Sequence, residues 1–400
     1  MEKLLKNKVY KDPIHGYINI SYKVIKDLIE TKEVQRLKRI HQLGGTLQVF
    51  PTAEHSRFSH SLGCYETCRK MIENVQGLKE SLTEKEVVGV LCAALLHDVG
   101  HGPFSHAFEM VHGVEHEEYS SSIIRSDSEV SDVLRKYDLN EMVAKIIDKT
   151  YSNKLLVQLV SSQLDADRID YLIRDAYFTG TTFSYIDLDR LIQVMVVKDD
   201  KIVFKEAGIA NIENFMLGRY HMYKQVYYHP ASLCYEVLIT NLLKRYFELY
   251  QLGYTFKNNY HYLNPFINNV KVSNDDYYNL DDFVLQFYAK QFMEEDDHIL
   301  KDLATRFINR KLLKRVYAKK DELGKYLNNV KENNLDERYY YFTALPSQHV
   351  YKKYGNKNSA SIYVLTRNNE VKELTKISKV VNALSKDEIT NSDDYVVIYG

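Results

Sequence analysis

In LLHDVGHGPFSH, residues 95–106, an apolar helical pattern stops and a cluster of imidazoles begins. Residues 83–99 carry apolar side chains at three-and-four spacing, Thr83 and Glu86 form a capping box at the start, and Gly100 breaks the pattern. The predicted helix therefore ends in the adjacent pair His97 and Asp98. An imidazole and a carboxylate side by side can grip one divalent metal, since mixed nitrogen and oxygen donors suit Zn, Mn or Fe. One helix end cannot complete the shell. The other donors the chain offers are His60 in HSRFSHSLG and Asp167 in QLDADRIDYLIRDA. A lone His-Asp pair arises by chance, but His97, His101, His106 and His116 crowd into or beside apolar segments, which solvated histidines rarely do.

Outward from this stretch the chain reads as mainly α. Helical periodicity marks 24–43, 61–76, 116–125, 139–177 and 209–250, followed by 280–295 and 297–327. Residues 9–20 alternate and turn at 13–16, predicting a short N-terminal β-hairpin, and VMVV-KDD-KIVF predicts another. Strands are expected at 339–344, 361–366 and 395–399, with a helix over 371–385. The resulting division is a core with its hairpin over 1–250, a helical extension over 251–330 and a small α+β unit over 331–400. Asp167, Asp170, Tyr171, Arg174 and Asp175 share one helix face, which must point at the metal if Asp167 is a ligand. Arg219, Tyr223 and Tyr227 form a second stripe.

The 400 residues allow two or three packed units at roughly 150 residues each. Lys+Arg 53 against Asp+Glu 54 leaves a net charge of −1, which argues against nucleic-acid wrapping or membrane adsorption. Phosphate binding must then come from local clusters. The opening MEKLLKNKVYKDP has no apolar signal-like core, and no run of about 18 apolar residues occurs, so a cytoplasmic protein is expected. Cys64, Cys68, Cys92 and Cys234 sit in apolar runs without C-x-x-C pairs and are read as reduced core residues.

The blocks KVYKDPIHGYI, VQRLKRIHQLGG, HSRFSHSLG, HDVGHGPFSHAFE, HEE and DADRIDYLIRDA, spread over more than half of the chain, resemble the HD-domain dNTP triphosphohydrolases, which include bacterial enzymes and a human sterile-alpha-motif-bearing member. The resemblance implies a helical HD core and one divalent cation (Mn, Fe, Zn, Mg or Ni) held by His60, His97, Asp98 and Asp167, with Mg accompanying the substrate phosphates. A bound cation lowers the pKa of its water from about 16 toward 7 and neutralises phosphoryl charge. By the same resemblance His106 faces the leaving 5′-oxygen and Glu109 orients it, where the human member has Asp. His101 and His116 contact the α-phosphate, Arg57 the α- or γ-phosphate, and Arg168, in place of a lysine, and Arg219 further phosphate oxygens. Tyr171 packs near the sugar, Asp175 and Gln42 hold the 3′-hydroxyl, and Tyr227 crowds the 2′ carbon, with Tyr223 where the human member has His.

A regulatory site is implied too. Lys8, Val9, Glu30, Gln35 and Lys38 match positions that bind a guanine nucleotide (GTP or dGTP) between subunits, and Arg310 and Lys314 match its phosphate contacts. Arg190 and Lys205 match contacts of a neighbouring activating dNTP, although Ala207 stands where the family has lysine. The expectation is a homotetramer that converts dNTPs to deoxynucleoside and triphosphate. Two other readings are a phosphohydrolase of signalling nucleotides and a nucleotide sensor with little turnover. Against the former, the HD pair lacks the Glu-Asp of alarmone hydrolases, and no GYP signature occurs.

Overall fold

The computed structural model describes residues 1–267, 272–344, 361–385 and 395–400. The mainly α class expected from the periodicity is what the chain adopts. It opens with an antiparallel hairpin, Lys3–Asp12 against Gly16–Tyr22, in which Asp12 opposes Gly16. The Asp12 carboxylate accepts from the amides of Ile14 and His15 and so closes the turn.

Two helices form the floor of the core, Arg57–Asn74 and Glu84–Leu96. The second begins with the expected capping box, in which Thr83 and Glu86 bond each other's backbone. Nine consecutive residues from Val88 to Leu96 are buried, so the helix is surrounded by protein on all sides. Helices His106–His112, His116–Arg125 and Ala166–Thr179 complete the site, and the 22-residue helix Pro230–Gln251 packs against it from outside.

Several long helical readings break in the structure, mostly where a side chain caps a new start. Residues 24–43 become Lys23–Ile29 and Lys32–Arg36, because Thr31 accepts from the amide of Val34. Residues 139–177 become three helices, the second and third capped by Asn153 and Asp165. Residues 209–250 divide where a wide turn at Tyr223–Tyr227 meets Pro230, which starts the next helix at its N-terminal turn. In 297–327 the helix stops at Ile308, and Lys314–Ala318 forms a strand instead.

That strand pairs with Tyr395–Tyr399, which also pairs with Tyr341–Ala344. The strand Tyr363–Leu365 joins a different sheet, running parallel to Lys201–Lys205 of the second hairpin. Val371–Glu373, expected as helix, adds an edge strand to that sheet before the helix Lys379–Leu384. All four cysteines are buried and free, and burial pushes the Cys68 thiol up to about 12. Among the described residues no helix is long and apolar enough to cross a membrane.

Candidate active site

His60 lies in the first turn of Arg57–Asn74, His97 and Asp98 follow the end of Glu84–Leu96, and Asp167 lies in the first turn of Ala166–Thr179. Their donor atoms converge. His60 Nε2 is 3.2 Å from Asp167 Oδ1 and 3.8 Å from Asp98 Oδ2, while His97 Nε2 is 3.3 Å from Asp98 Oδ1 and 3.6 Å from Asp167 Oδ1. Metal–ligand bonds of about 2.0–2.2 Å place neighbouring donors of one shell about 3–3.5 Å apart. His60, His97 and Asp167, with Cys64, offer donor atoms close enough to hold one ion, and Asp98, beside them, groups in the same way with His101 and His116.

The supporting bonds point the same way. His97 Nδ1 donates to the Ala94 carbonyl at 2.9 Å, which directs the Nε2 lone pair into the cluster, and that buried Nε2 has no hydrogen bond among the described residues. His60 Nδ1 bonds Asp170 Oδ2 at 2.9 Å, the carboxylate–histidine arrangement that orients metal ligands. Cys64 Sγ also approaches, at 3.4 and 3.5 Å from the two ring nitrogens of His60. Near-equal distances place it over the ring face, and burial drives its thiol well above the usual range.

Without a cation, protons balance the charge. Burial opposes ionisation of Asp167, yet His60 and His97 outweigh it and hold the carboxyl well below its usual range. Burial likewise opposes a charged His60, but contacts with Cys64, Asp167 and Asp170 raise its pKa well above an ordinary imidazole. Asp98 is held low against burial by His97, His101 and Arg57.

Two glycines make the approach possible. A Cβ on Gly63 would lie 1.9 Å from Asp170 Oδ1 and 2.4 Å from an Arg174 nitrogen, and one on Gly100 would strike the Ser120 amide at 2.3 Å. Behind His60, Asp170 also bonds His15 Nε2 at 2.7 Å and Arg174 Nε at 2.8 Å, and Arg174 reaches Asp12 at 2.8 Å. The shared helix face is thus divided: Asp167, Tyr171 and Asp175 line the cavity, whereas Asp170 and Arg174 turn back to the N-terminal hairpin.

Above the cluster opens a cavity of about 520 Å³ whose walls include Gln42, Arg57, Asp98, His101, His116, Asp167, Arg168, Tyr171, Asp175, Tyr223 and Tyr227. One end is imidazole and guanidinium. Arg57 Nη1 pairs with Asp98 Oδ2, and its other nitrogens donate to Ser105 Oγ at 2.8 and 3.2 Å. His101 stacks on His116 with ring centroids 3.6 Å apart. Burial, with Arg57 and His116 nearby, pushes the pKa of His101 well below 6.5 and keeps it neutral. Glu109 Oε1 bonds His116 Nδ1 at 2.7 Å, a partner the sequence did not suggest. The His106 side chain, and with it the expected His106–Glu109 pairing, lies outside the described residues.

The other end is aromatic. Asp175 accepts from Tyr227 Oη at 2.7 Å and bonds His55 Nε2 at 2.7 Å, while Tyr227 packs edge-on against Tyr171 and Tyr223. The buried Gln42 Oε1 has no hydrogen bond here. Arg168 is anchored to Asp165 at 2.5 Å. Arg219, expected on phosphate, is set back from the wall: it donates to Gln163 Oε1 at 3.1 Å and lies over the Tyr223 ring. Asp12, His15, His55 and Asp170 were not assigned roles from sequence, although the quoted blocks contain them, because no spacing rule reveals a partner far along the chain.

The regulatory candidates lie at or near the surface. Lys8 bonds Glu30 at 3.1 Å, Lys38 bonds Gln35 at 2.7 Å and Val9 is exposed. Arg190 and Lys314 are exposed, Lys205 is half-buried, and Arg310 donates to the Gln48 carbonyl at 2.6 Å.

The HD domain model matches residues 57–175 and the HD associated region matches 186–255. The Bacillus subtilis "uncharacterized protein YwfO" is 42% identical over 98% of this chain and 93% of its own. The chain belongs to the HD-domain phosphohydrolase family. Within that family, the crystal structure of a phosphohydrolase from Bacteroides thetaiotaomicron superposes with a TM-score of 0.85 at 30% identity, covering 99% of this chain and 100% of that one. The deoxynucleoside triphosphate triphosphohydrolase SAMHD1 homologue of Dictyostelium discoideum is 33% identical over 59% of this chain, which spans about half of that protein's length (48%). The HD match includes all four candidate metal donors but neither the hairpin turn at 12–16 nor anything beyond residue 255.

Proposed function

We propose that this HD-domain phosphohydrolase hydrolyses dNTPs to deoxynucleoside and inorganic triphosphate. The observation that carries the reading is a set of candidate metal donors, His60, His97 and Asp167 with Asp98 beside them, at the floor of a cavity with cationic and imidazole groups at one end and a hydrogen-bonded Asp175–Tyr227 pair at the other. The volume, about 520 Å³, falls within the roughly 300–1,000 Å³ of small-molecule sites.

His60, His97, Asp98 and Asp167 would hold the divalent ion, which when bound supplies an acidified water and neutralises phosphoryl charge. Arg57, steadied by Ser105, faces the phosphate chain with a planar fork of donors. His101, neutral by burial, contributes a hydrogen bond without adding charge. His116, oriented by Glu109, would contact the α-phosphate, His106 would serve the leaving 5′-oxygen, and Arg168 adds positive charge. In the reaction water oxygen bonds to the α-phosphorus, the P–O5′ bond breaks, and the 5′-oxygen leaves with a proton, so triphosphate retains the water oxygen. Asp175 and Gln42 suit the 3′-hydroxyl. Tyr227, fixed by Asp175 and two tyrosine rings, leaves no slack for a 2′-hydroxyl.

The proposal includes a homotetramer regulated by GTP, dGTP or a dNTP at Lys8, Val9, Glu30, Gln35 and Lys38, with Arg310 and Lys314 supplying phosphate contacts and Arg190 and Lys205 contacting a neighbouring activating nucleotide. The exposure of most of these groups, on the hairpin and elsewhere, supports it. The four dNTPs and their ribo counterparts, offered alone and in pairs with Mn or Mg, test the chemistry. Free triphosphate is the expected product. Release of dNDP or dNMP alone would refute the assignment, and tight dNTP binding without turnover under any pairing would favour a sensor. Light scattering with and without GTP or dGTP tests the assembly, a monomer in both conditions removing the regulatory part.

A further inference from the structure

We infer that Asp282, outside both regions matched by the family models, is a positioning residue for the active-site loop, acting with Tyr277 and the buried Arg36. The inference rests on the phosphohydrolase reading of the cavity.

The loop after Asp98 has to deliver His101 to the cavity wall, Ser105 to Arg57, and then start the helix that carries His106 and Glu109. It does so through strained backbone. Phe104 and Ser105 both have φ near +50°, a region that residues with a Cβ adopt only where the surroundings over-determine them.

Two of the contacts that fix the loop come from one distant stretch, residues 277–282, and a third from Arg36, which is itself bonded to that stretch. Asp282, fully buried, accepts the Phe104 amide on Oδ1 at 2.8 Å. Its Oδ2 accepts the His41 amide at 2.8 Å and bonds His41 Nδ1 at 2.6 Å. One carboxylate therefore ties together the two segments that flank the cavity, since Gln42 and Gly44 lie on one lip and Phe104 and Ser105 on the other. Tyr277 Oη donates to the Gly100 carbonyl at 2.6 Å. Arg36, 1% exposed, donates to the His101 carbonyl at 2.7 Å and to the Leu280 carbonyl at 2.7 Å, with its guanidinium over the Tyr277 ring. Gly100, His101 and Phe104 are thus each held by one of these bonds, and Gly100 also by its amide on Ser120 Oγ at 2.9 Å. None of these bonds touches His60, His97 or Asp167, although His101 Nε2 lies 3.3 Å from Asp98 Oδ1, so metal content is measured beside kcat to separate loop placement from metal binding.

Three variants of the full-length protein test this: Asp282→Ala, Asp282→Asn and Tyr277→Phe. The first two keep the helix cap Asp281, which bonds the Val284 amide. Metal content, kcat and KM for the best dNTP, and hydrogen exchange over 98–112 are measured on each. Asp282→Ala is expected to lower kcat about 100-fold, as misplacement of about 1 Å does, with metal content and KM little changed and faster exchange of the Phe104 amide. Asp282→Asn, which keeps an acceptor for that amide, recovers part of the loss, and Tyr277→Phe loses less than Asp282→Ala. Wild-type kcat in Asp282→Ala, or a loss that follows metal content with no rescue by Asn, overturns the inference. Should Asp282→Ala not fold, unchanged kcat and exchange in Tyr277→Phe overturns it. If the wild type hydrolyses no dNTP, the proposed function falls, and exchange decides the clamp: acceleration confined to 98–112 sustains it, unchanged exchange removes it.

Discussion

The floor and the wall of the cavity are built differently. On the floor, charged and imidazole groups crowd together at the base of the cavity, and each histidine is braced from behind, His60 by Asp170 and His97 by the Ala94 carbonyl. Along the wall, Asp175 is satisfied by His55 and Tyr227, and the aromatic rings of Tyr171, Tyr223 and Tyr227 brace one another. The floor holds charge that a cation or protons must balance, whereas Asp175 and Tyr227 on the wall are already paired. Floor substitutions should therefore remove metal, and wall substitutions should change which nucleotide is accepted.

The largest effect is expected from His97→Ala combined with Asp98→Ala. Metal content by elemental analysis should fall to background and turnover with it, while the wall continues to bind nucleotide weakly; retained stoichiometric metal would break the contrast. Next, Gly63→Ala forces a Cβ into the Asp170–Arg174 pair and is expected to destabilise the fold by about 3 kcal/mol or more, read as a lowered Tm. A Tm equal to wild type would show that the brace has room to move.

His15→Ala leaves the donors in place but takes away one of the bonds that hold Asp170. A loss of about 10–100-fold in metal affinity is expected in an equilibrium titration, with nucleotide selectivity unchanged. Unaltered affinity would mean that Arg174 alone holds Asp170. The smallest effect belongs to the wall: Tyr227→Phe deletes only the hydroxyl bonded to Asp175, and a loss of about 0.5–1.5 kcal/mol in dNTP binding, with metal content intact, is the expected result. Loss of metal in this variant would erase the distinction between floor and wall.

How much of this could be read from the sequence follows from the range of each interaction. The helical class, both hairpins and the capping box at Thr83 rest on residues within a few positions of one another, and they appear in the structure. Helix breaks at Thr31, Asn153 and Asp165 depend on cap bonds equally local, but the apolar period continued across them and concealed the stops. The strand Lys314–Ala318 exists because Tyr395–Tyr399 pairs with it, and no pattern inside 297–327 announces that partner.

The sequence by itself determined the mainly α class and which side chains could serve as metal donors, because period, caps and ligand chemistry reside in short stretches. Only the tertiary structure decided that His60 is braced by Asp170 across 110 positions, that Glu109 bonds His116, and that Phe104 is held by Asp282 across 178. A buried polar group bonds whatever partner the packing brings to it, and the packing is settled by the whole chain at once.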